Sequence, residues 1–334
     1  MTRLRRVALA VSLILSQAAC APTIKVPGPP IVEPRLDAGA VVAADGARLP
    51  LRAWLPGGHA KAVVVAAHGF NDYSNAFDGL GGYLAGQGIA VYAFDQRGFG
   101  AAPNVGYWAG ESAMADDLAT TVLLIRRRYR DVPVYLLGES MGGALVMVTM
   151  ARPGAPPVDG VVLSAPAVWG RDSMTLLERG ALWVTSHTMP WLTLTGEGLN
   201  ILPSDNLDML RALGRDPLVI KKTRVDAIHG LCDLMDAAQA AAPELRVPAL
   251  VLYGEHDEVV PAAPTYRMMR RLPNTAAPQV MAVYANGYHM LLRDLQAPVV
   301  WGDIAAWIVA PGQPLPSGAD RRAREVLRQD VEPE

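Results

Sequence analysis

Val134-Tyr135-Leu136-Leu137-Gly138-Glu139-Ser140-Met141-Gly142-Gly143-Ala144-Leu145-Val146-Met147 decides how this chain folds. Its first four residues are an unbroken apolar run, as in a parallel strand buried on both faces. G-x-S-x-G follows, and then a second apolar run compatible with a helix. Strand, motif and helix in that order predict a turn so tight that the Ser140 side chain is pushed out at the strand's C-terminal end. The flanking glycines leave the backbone room for it. The helix then aims its first N–H groups at any anion forming beside Ser140. This setting implies a nucleophilic serine.

Such a serine needs a base and an acid, arriving in the chain order Ser, Asp or Glu, His. After Ser140 the histidines are His187, His229, His256 and His289. Ala249-Leu250-Val251-Leu252-Tyr253 reads as a buried parallel strand, and Asp257 stands in the turn leaving it, where functional residues of open parallel sheets gather. A further strand, residues 279–284, leads into Ala285-Asn286-Gly287-Tyr288-His289. Only His289 lies downstream of that acid on a loop after its own strand, with room between for one helix (about 262–272) and one strand. A neutral imidazole must take the hydroxyl proton, and a carboxylate must orient that imidazole. The assignment is Ser140 as nucleophile, His289 as base and Asp257 as orienting acid, with Glu255 and Glu258 as competing acids. His256 adjoins the acid and is read as a turn residue.

The developing oxyanion needs donors. The buried run Ala62-Val63-Val64-Val65-Ala66-Ala67 ends in His68-Gly69-Phe70-Asn71. The expected donors are the main-chain N–H groups of Phe70 and of Met141, directly after the nucleophile. His68 is read as a loop brace.

These stretches, with Phe94-Asp95-Gln96-Arg97-Gly98-Phe99-Gly100, Leu163-Ser164-Ala165-Pro166, Gly254-Glu255-His256-Asp257-Glu258-Val259-Val260-Pro261 and Gly287-Tyr288-His289, resemble the α/β-hydrolases. Within that group the chain is similar to the monoacylglycerol lipase and lysophospholipase branch, also labelled serine aminopeptidase S33-like, across roughly residues 60–308. The resemblance implies an α/β fold with a mostly parallel central sheet flanked by helices, and a helical cap inserted after the sixth strand. Two departures stand out: Glu139 where that branch usually has His, and Phe99 in a pattern that usually carries His. Asp95 and Arg97 are read as a loop-bracing pair.

The chain has 334 residues, enough for one large core with an insertion. A net charge of −2 gives no basis for a nucleic-acid partner. No metal-ligand cluster or dinucleotide fingerprint stands out, so no cofactor is expected. Gly79-Leu80-Gly81-Gly82 lies in an apparent helix and is read as close helix packing, not as a phosphate loop.

Met1-Thr2-Arg3-Leu4-Arg5-Arg6 is basic, and residues 7–15 are apolar but far shorter than the ~20 needed to span a bilayer. Residues 1–20 are therefore expected to be an export signal. Gln17-Ala18-Ala19-Cys20 resembles a bacterial lipobox, which implies lipidation of Cys20 and an outer-membrane address. An ordinary cleaved signal, giving a soluble periplasmic or secreted protein, is the alternative. Residues 21–39 are proline-rich and read as a tether holding the fold off the membrane. Cys232 would be the remaining thiol, and the stretch 311–334 a polar tail.

The expected organisation is a core at 40–167 and 246–310 with the cap at 168–245. The cap is rich in apolar residues, among them Trp169, Met174, Leu176, Leu177, Trp183, Val184, Met189 and Trp191. Trp183, Met189 and Trp191 are the candidates for an acyl-binding groove. With the resemblance, this implies a carboxylic ester hydrolase acting on a monoacylglycerol or lysophospholipid and held at a membrane by its N-terminal lipid. The alternatives are a proline iminopeptidase-like peptidase, for which Glu178, Glu197 and Asp205 are scattered acids, and a non-enzymatic binding lipoprotein.

Overall fold

Alternation along buried strands sorts the core of this chain into two layers. A computed structural model describes residues 21–329, apart from 197, 199 and 274–276. Short strands β1 (Arg35–Asp37) and β2 (Ala40–Val42) and the longer β3 (Arg48–Trp54) form an antiparallel meander. Then β4 (Ala62–Ala67), α1 (Asp78–Gly86), β5 (Ile89–Phe94), α2 (Glu111–Arg128), β6 (Val134–Glu139), α3 (Met141–Ala151) and β7 (Gly160–Ser164) alternate. The insertion holds α4 (Leu176–Thr188), β8 (Thr193–Leu194), α5 (Leu207–Arg215), β9 (Thr223–Arg224) and α6 (Val225–Ala241). The chain closes with β10 (Ala249–Gly254), α7 (Ala262–Arg271), β11 (Gln279–Tyr284), α8 (Ala297–Val309) and α9 (Ala319–Gln329).

The main sheet runs β1-β2-β3-β5-β4-β6-β7-β10-β11, parallel from β5 to β11. Val63, Val65 and Ala67 of β4 face α2, α3 and α6, while Val64 and Ala66 face α1 and α8. That period of two, with both faces covered, is why β4, β6 and β10 read as continuous apolar runs. The strand order reverses at β4, with β5 on one side and β6 on the other. That switch point is where an open parallel sheet leaves a crevice at its C-terminal ends. In α1, a Cβ on Gly81 would lie 2.4 Å from the Trp54 ring, so the glycine cluster there serves close packing.

The insertion leaves after β7, the sixth strand counted from Ala40–Val42, and divides in two. α4 opens with a capping box, Thr175 and Glu178 satisfying each other's backbone amides. α6 belongs with the core instead: Leu234, Ala238 and Ala241 are buried against the elbow helix α3. Between them β8 and β9 pair as a small antiparallel ribbon.

The described stretches 21–39 and 311–329 are more ordered than their composition predicts. In the proline-rich stretch 21–39, Lys25 N–H donates to the Trp108 carbonyl at 2.8 Å, and the Ile31 and Val32 amides both reach the Ala44 carbonyl. Non-proline residues in such a stretch keep their amides, and these seek acceptors. From Pro311 onward a polar tail was expected, but α9 packs along edge strand β11. Ala319, Asp320 and Ala323 are buried, and Arg322 pairs with Glu255. Its polarity is that of an amphipathic helix seen from outside, and it shields a strand edge. Among the described residues no helix is long and apolar enough to cross a membrane. Cys20 lies outside the described residues.

The elbow's tolerance for side chains can be tested directly. A Cβ on Gly142 would sit 1.9 Å from the Ala67 carbonyl oxygen, a backbone atom that cannot move aside. Gly142→Ala is expected to cost about 3 kcal/mol or more in urea unfolding, or to prevent folding. A loss below about 1 kcal/mol would show that the packing of α3 on β4 is looser than described.

Candidate active site

Ser140 has φ 52°, a left-handed conformation costly for a residue with a side chain. It is held there from both sides: Ser140 N–H donates to the Ser164 carbonyl and Ala167 N–H to the Ser140 carbonyl, each at 2.9 Å. The turn exposes Oγ toward His289, whose Nε2 lies 3.0 Å away. His289 Nδ1 is 2.8 Å from Asp257 Oδ2, and Asp257 Oδ1 accepts the Val259 and Val260 amides, both at 2.8 Å. That carboxylate is therefore pinned before it meets the ring. With Nδ1–H donated to Asp257, Nε2 carries the lone pair that faces the Ser140 hydroxyl. The three side chains come from the ends of β6, β10 and β11 and form one hydrogen-bonded chain.

The competing acids are engaged elsewhere. Glu255 pairs with Arg322, and Glu258 accepts the Leu202 amide. The His256 ring stands edge-on to Tyr288. His68 is buried, with Nδ1 donating to the Gly69 carbonyl and Nε2 accepting the Gln96 amide. Both ring nitrogens are used, and burial pushes its pKa down, so it braces the loop as a neutral ring. Asp95 and Arg97 also brace, though not as a pair. Asp95 takes the Ser74 and Ala101 amides, while Arg97 bridges Asp45 and Asp117.

The loop after β4 approaches the serine closely: a Cβ on Gly69 would lie 3.5 Å from Ser140 Cβ. Phe70 follows on that loop, and Met141 opens α3. Neither amide has a hydrogen-bond acceptor among the described residues. Two main-chain donors are thus free next to the nucleophile, as an oxyanion requires.

Ser140 and His289 open onto a cavity of about 370 Å³. Its apolar lining includes Trp169, Met174, Ile228, Leu231, Cys232 and Met235. Burial pushes the Cys232 thiol up to about 11, so it is a packing group there and not a thiolate. Trp183, Met189 and Trp191, the expected lining, are not in it. They are exposed on the outside of the cap, with Trp183 stacked on His187. Helical periodicity marks an apolar stripe but not which side of the helix turns inward. The lining comes instead from 169–174 and from α6.

The lining also holds charged groups. Arg293 reaches Asp72 at 2.7 Å and Glu139 at 3.1 Å, and all three line the cavity. Glu139 Oε1 and Arg293 Nε are buried without a hydrogen-bond partner among the described residues. Burial raises the Glu139 carboxyl above its ordinary range, against the opposing pull of Arg293. Sequence spacing did not bring these three together. The only signal was Glu139 standing where His is usual. A larger cavity of about 490 Å³, which shares Arg293 and is lined also by Asn206, Asp216 and Trp301, holds none of Ser140, His289 and Asp257.

Because the folded pKa of Glu139 is raised, its proton binds the folded state more tightly than the unfolded one. Stability from this group is full below about 4.5, the ordinary value, and is lost as pH rises through the raised pKa. Glu139→Gln removes that dependence. The difference in urea midpoint is expected to move toward the variant as pH rises from about 4.5 to neutrality. A difference independent of pH would show that Glu139 titrates normally.

The family model described as serine aminopeptidase, S33 matches residues 58–296. Monoglyceride lipase of Mus musculus is 29% identical over 266 residues, covering 78% of this chain and 86% of that one. Monoacylglycerol lipase of Mycolicibacterium smegmatis is 27% identical over 278 residues, covering 79% and 94%. Among solved structures, the monoacylglycerol lipase of Paleococcus ferrophilus superposes with a TM-score of 0.64 at 24% identity, covering 78% of this chain and 98% of that one.

Proposed function

The chain belongs to the serine aminopeptidase S33 family and is a carboxylic ester hydrolase of α/β-hydrolase fold; we propose that it cleaves a monoacylglycerol or lysophospholipid through an acyl-enzyme on Ser140. The observation that carries the mechanism is the chain Ser140 Oγ, His289 Nε2 and Nδ1, Asp257 Oδ2, at 3.0 and 2.8 Å. Ser140 Oγ attacks the ester carbonyl as its proton passes to Nε2, and the imidazolium is stabilised by Asp257. The Phe70 and Met141 amides hold the oxyanion. Collapse breaks the bond to the alcohol, which leaves with the proton from Nε2. Water then repeats the sequence in reverse, giving the fatty acid and free Ser140.

The cavity's mixed lining supports the substrate class. An acyl chain is suited to the wall of Leu231, Met235 and Met174, and a polar head group to the pole of Glu139, Arg293 and Asp72. Of the scattered acids a peptidase reading would draw on, Glu178 is spent on the α4 cap and Asp205 on the Leu295 amide, while Glu197 lies outside the described residues. The basic and apolar leader and the lipobox-like Gln17-Ala18-Ala19-Cys20 support export, acylation of Cys20 and an outer-membrane address as part of the same proposal.

Ser140→Ala is expected to lower turnover of p-nitrophenyl esters and monoacylglycerol by roughly 10³-fold or more, and Asp257→Asn kcat by about 10⁴-fold. A folded Ser140→Ala protein that keeps its turnover would refute the acyl-enzyme. Filling the apolar lining with Leu231→Trp is expected to shift preference toward shorter acyl chains. An unchanged chain-length profile would move the acyl site elsewhere. Hydrolysis of an aminoacyl-nitroanilide alone would make the enzyme a peptidase.

A further inference from the structure

Three loops carry the reacting groups of this site, and each leaves from a different strand. The loop after β4 holds the Phe70 amide, the elbow after β6 holds Ser140 and the Met141 amide, and the loop after β11 holds His289. Each also places one charged side chain near its reacting group. Asp72 stands two residues after Phe70, Glu139 directly before Ser140, and Arg293 four residues after His289. These three side chains meet. Arg293 Nη1 lies 2.7 Å from Asp72 Oδ2, and Nη2 donates to Glu139 Oε2 at 3.1 Å.

The join is one of charge more than of aligned hydrogen bonds. Asp72 Oδ2 has no hydrogen bond among the described residues although the guanidinium is at ion-pair distance, so the two meet off the donor line. The side chains of Asp72 and Glu139 are 7% and 2% exposed and that of Arg293 14%, so solvent screens the pairs little. Each member is also fixed from its own side. Asp72 Oδ1 accepts the Tyr73 amide at 2.9 Å, and Glu139 ends β6, in register with Ser164. On the third loop the Arg293 carbonyl accepts from Asn206 Nδ2, and Asp294 takes the Tyr288 amide and the Ser204 hydroxyl. Without the guanidinium, two buried carboxylates would be left to repel each other, driving the β4 and β6 loops apart. The histidine usual in the similar branch would offer Arg293 no carboxylate at position 139, so the join goes with this chain's departure from that pattern.

We propose that Arg293 is a positioning residue: it clamps the oxyanion loop, the nucleophile elbow and the histidine loop to one another, and so sets the Phe70 amide and His289 against Ser140. The clamp rests on the acyl-enzyme reading of Ser140, and it acts whatever head group the substrate carries. A misplacement of about 1 Å in such a site costs on the order of 10²-fold in rate.

The test uses the full chain and p-nitrophenyl butyrate, an ester with no polyol head group, with active sites counted by fluorophosphonate labelling. Arg293→Met is expected to lower kcat/KM roughly 10²-fold. The Ki of an alkyl trifluoromethyl ketone, which forms a tetrahedral adduct on Ser140, is expected to rise by about the same factor. That of an alkyl ether of equal length, which forms no adduct, is expected to change less than about threefold. Arg293→Lys keeps the cation and is expected to stay within about tenfold of wild type. If Arg293→Met does not fold, Asp72→Asn/Glu139→Gln/Arg293→Met removes the three charges together, leaves none buried alone, and is expected to show the same split between ketone and ether. Turnover per active site equal to wild type, with only a lower urea midpoint, would make Arg293 a structural brace and overturn the proposal. So would a loss confined to monoacylglycerol, which would make it a head-group contact alone, or an Arg293→Lys enzyme as slow as Arg293→Met. Wild type that turns over no ester would sink the acyl-enzyme reading itself, whereas an active wild type with an unaffected variant sinks the clamp alone.

Discussion

The strained turn at Ser140 depends on two backbones being in contact. A Cβ at Gly142 would enter the Ala67 carbonyl at the end of β4, and one at Gly138 would lie 2.3 Å from the Gly142 carbonyl oxygen. Because α3 can approach β4 this closely, Met141 N–H is carried to the mouth of the loop that holds Phe70. The left-handed φ of Ser140, worth roughly 1–3 kcal/mol of strain, is offset by the bonds of its backbone to Ser164 and Ala167 and by the buried helix that follows. Loosening that contact would move the nucleophile and both amides together.

Around that turn the sheet's topology does the assembling. β6, β10 and β11 end on the same side, so a serine, an acid and a histidine far apart in the chain meet within hydrogen-bond reach. Asp257 is oriented by its own loop before it touches His289. That spares the site the cost of ordering a free carboxylate in each turnover.

The cavity brings apolar and charged groups together. α6 presents Ile228, Leu231 and Met235 to it, and Arg293 is shared between two carboxylates, one of which keeps a bare oxygen. A buried cation between two anions is stable only where each compensates the other. The exposed stripe on α4 is a separate apolar surface, turned away from the cavity, and it explains why residues chosen for hydrophobicity alone were assigned to the wrong side.

Sequence by itself determined the sheet strands, the elbow and the residues that meet as Ser140, His289 and Asp257, because each rests on local chemistry. Buried parallel strands must be continuously apolar, a tight turn must have glycine beside it, and a catalytic acid and base must stand at strand ends. Only the tertiary structure decided which cap residues face inward, that α6 joins the core, and that the C-terminal stretch docks as α9 on β11. It alone joined Asp72, Glu139 and Arg293, whose positions along the chain bear no periodic relation. The physical reason is common to all of these. A helix's pattern specifies that it has two faces, but what each face meets depends on chain segments that sequence spacing does not place.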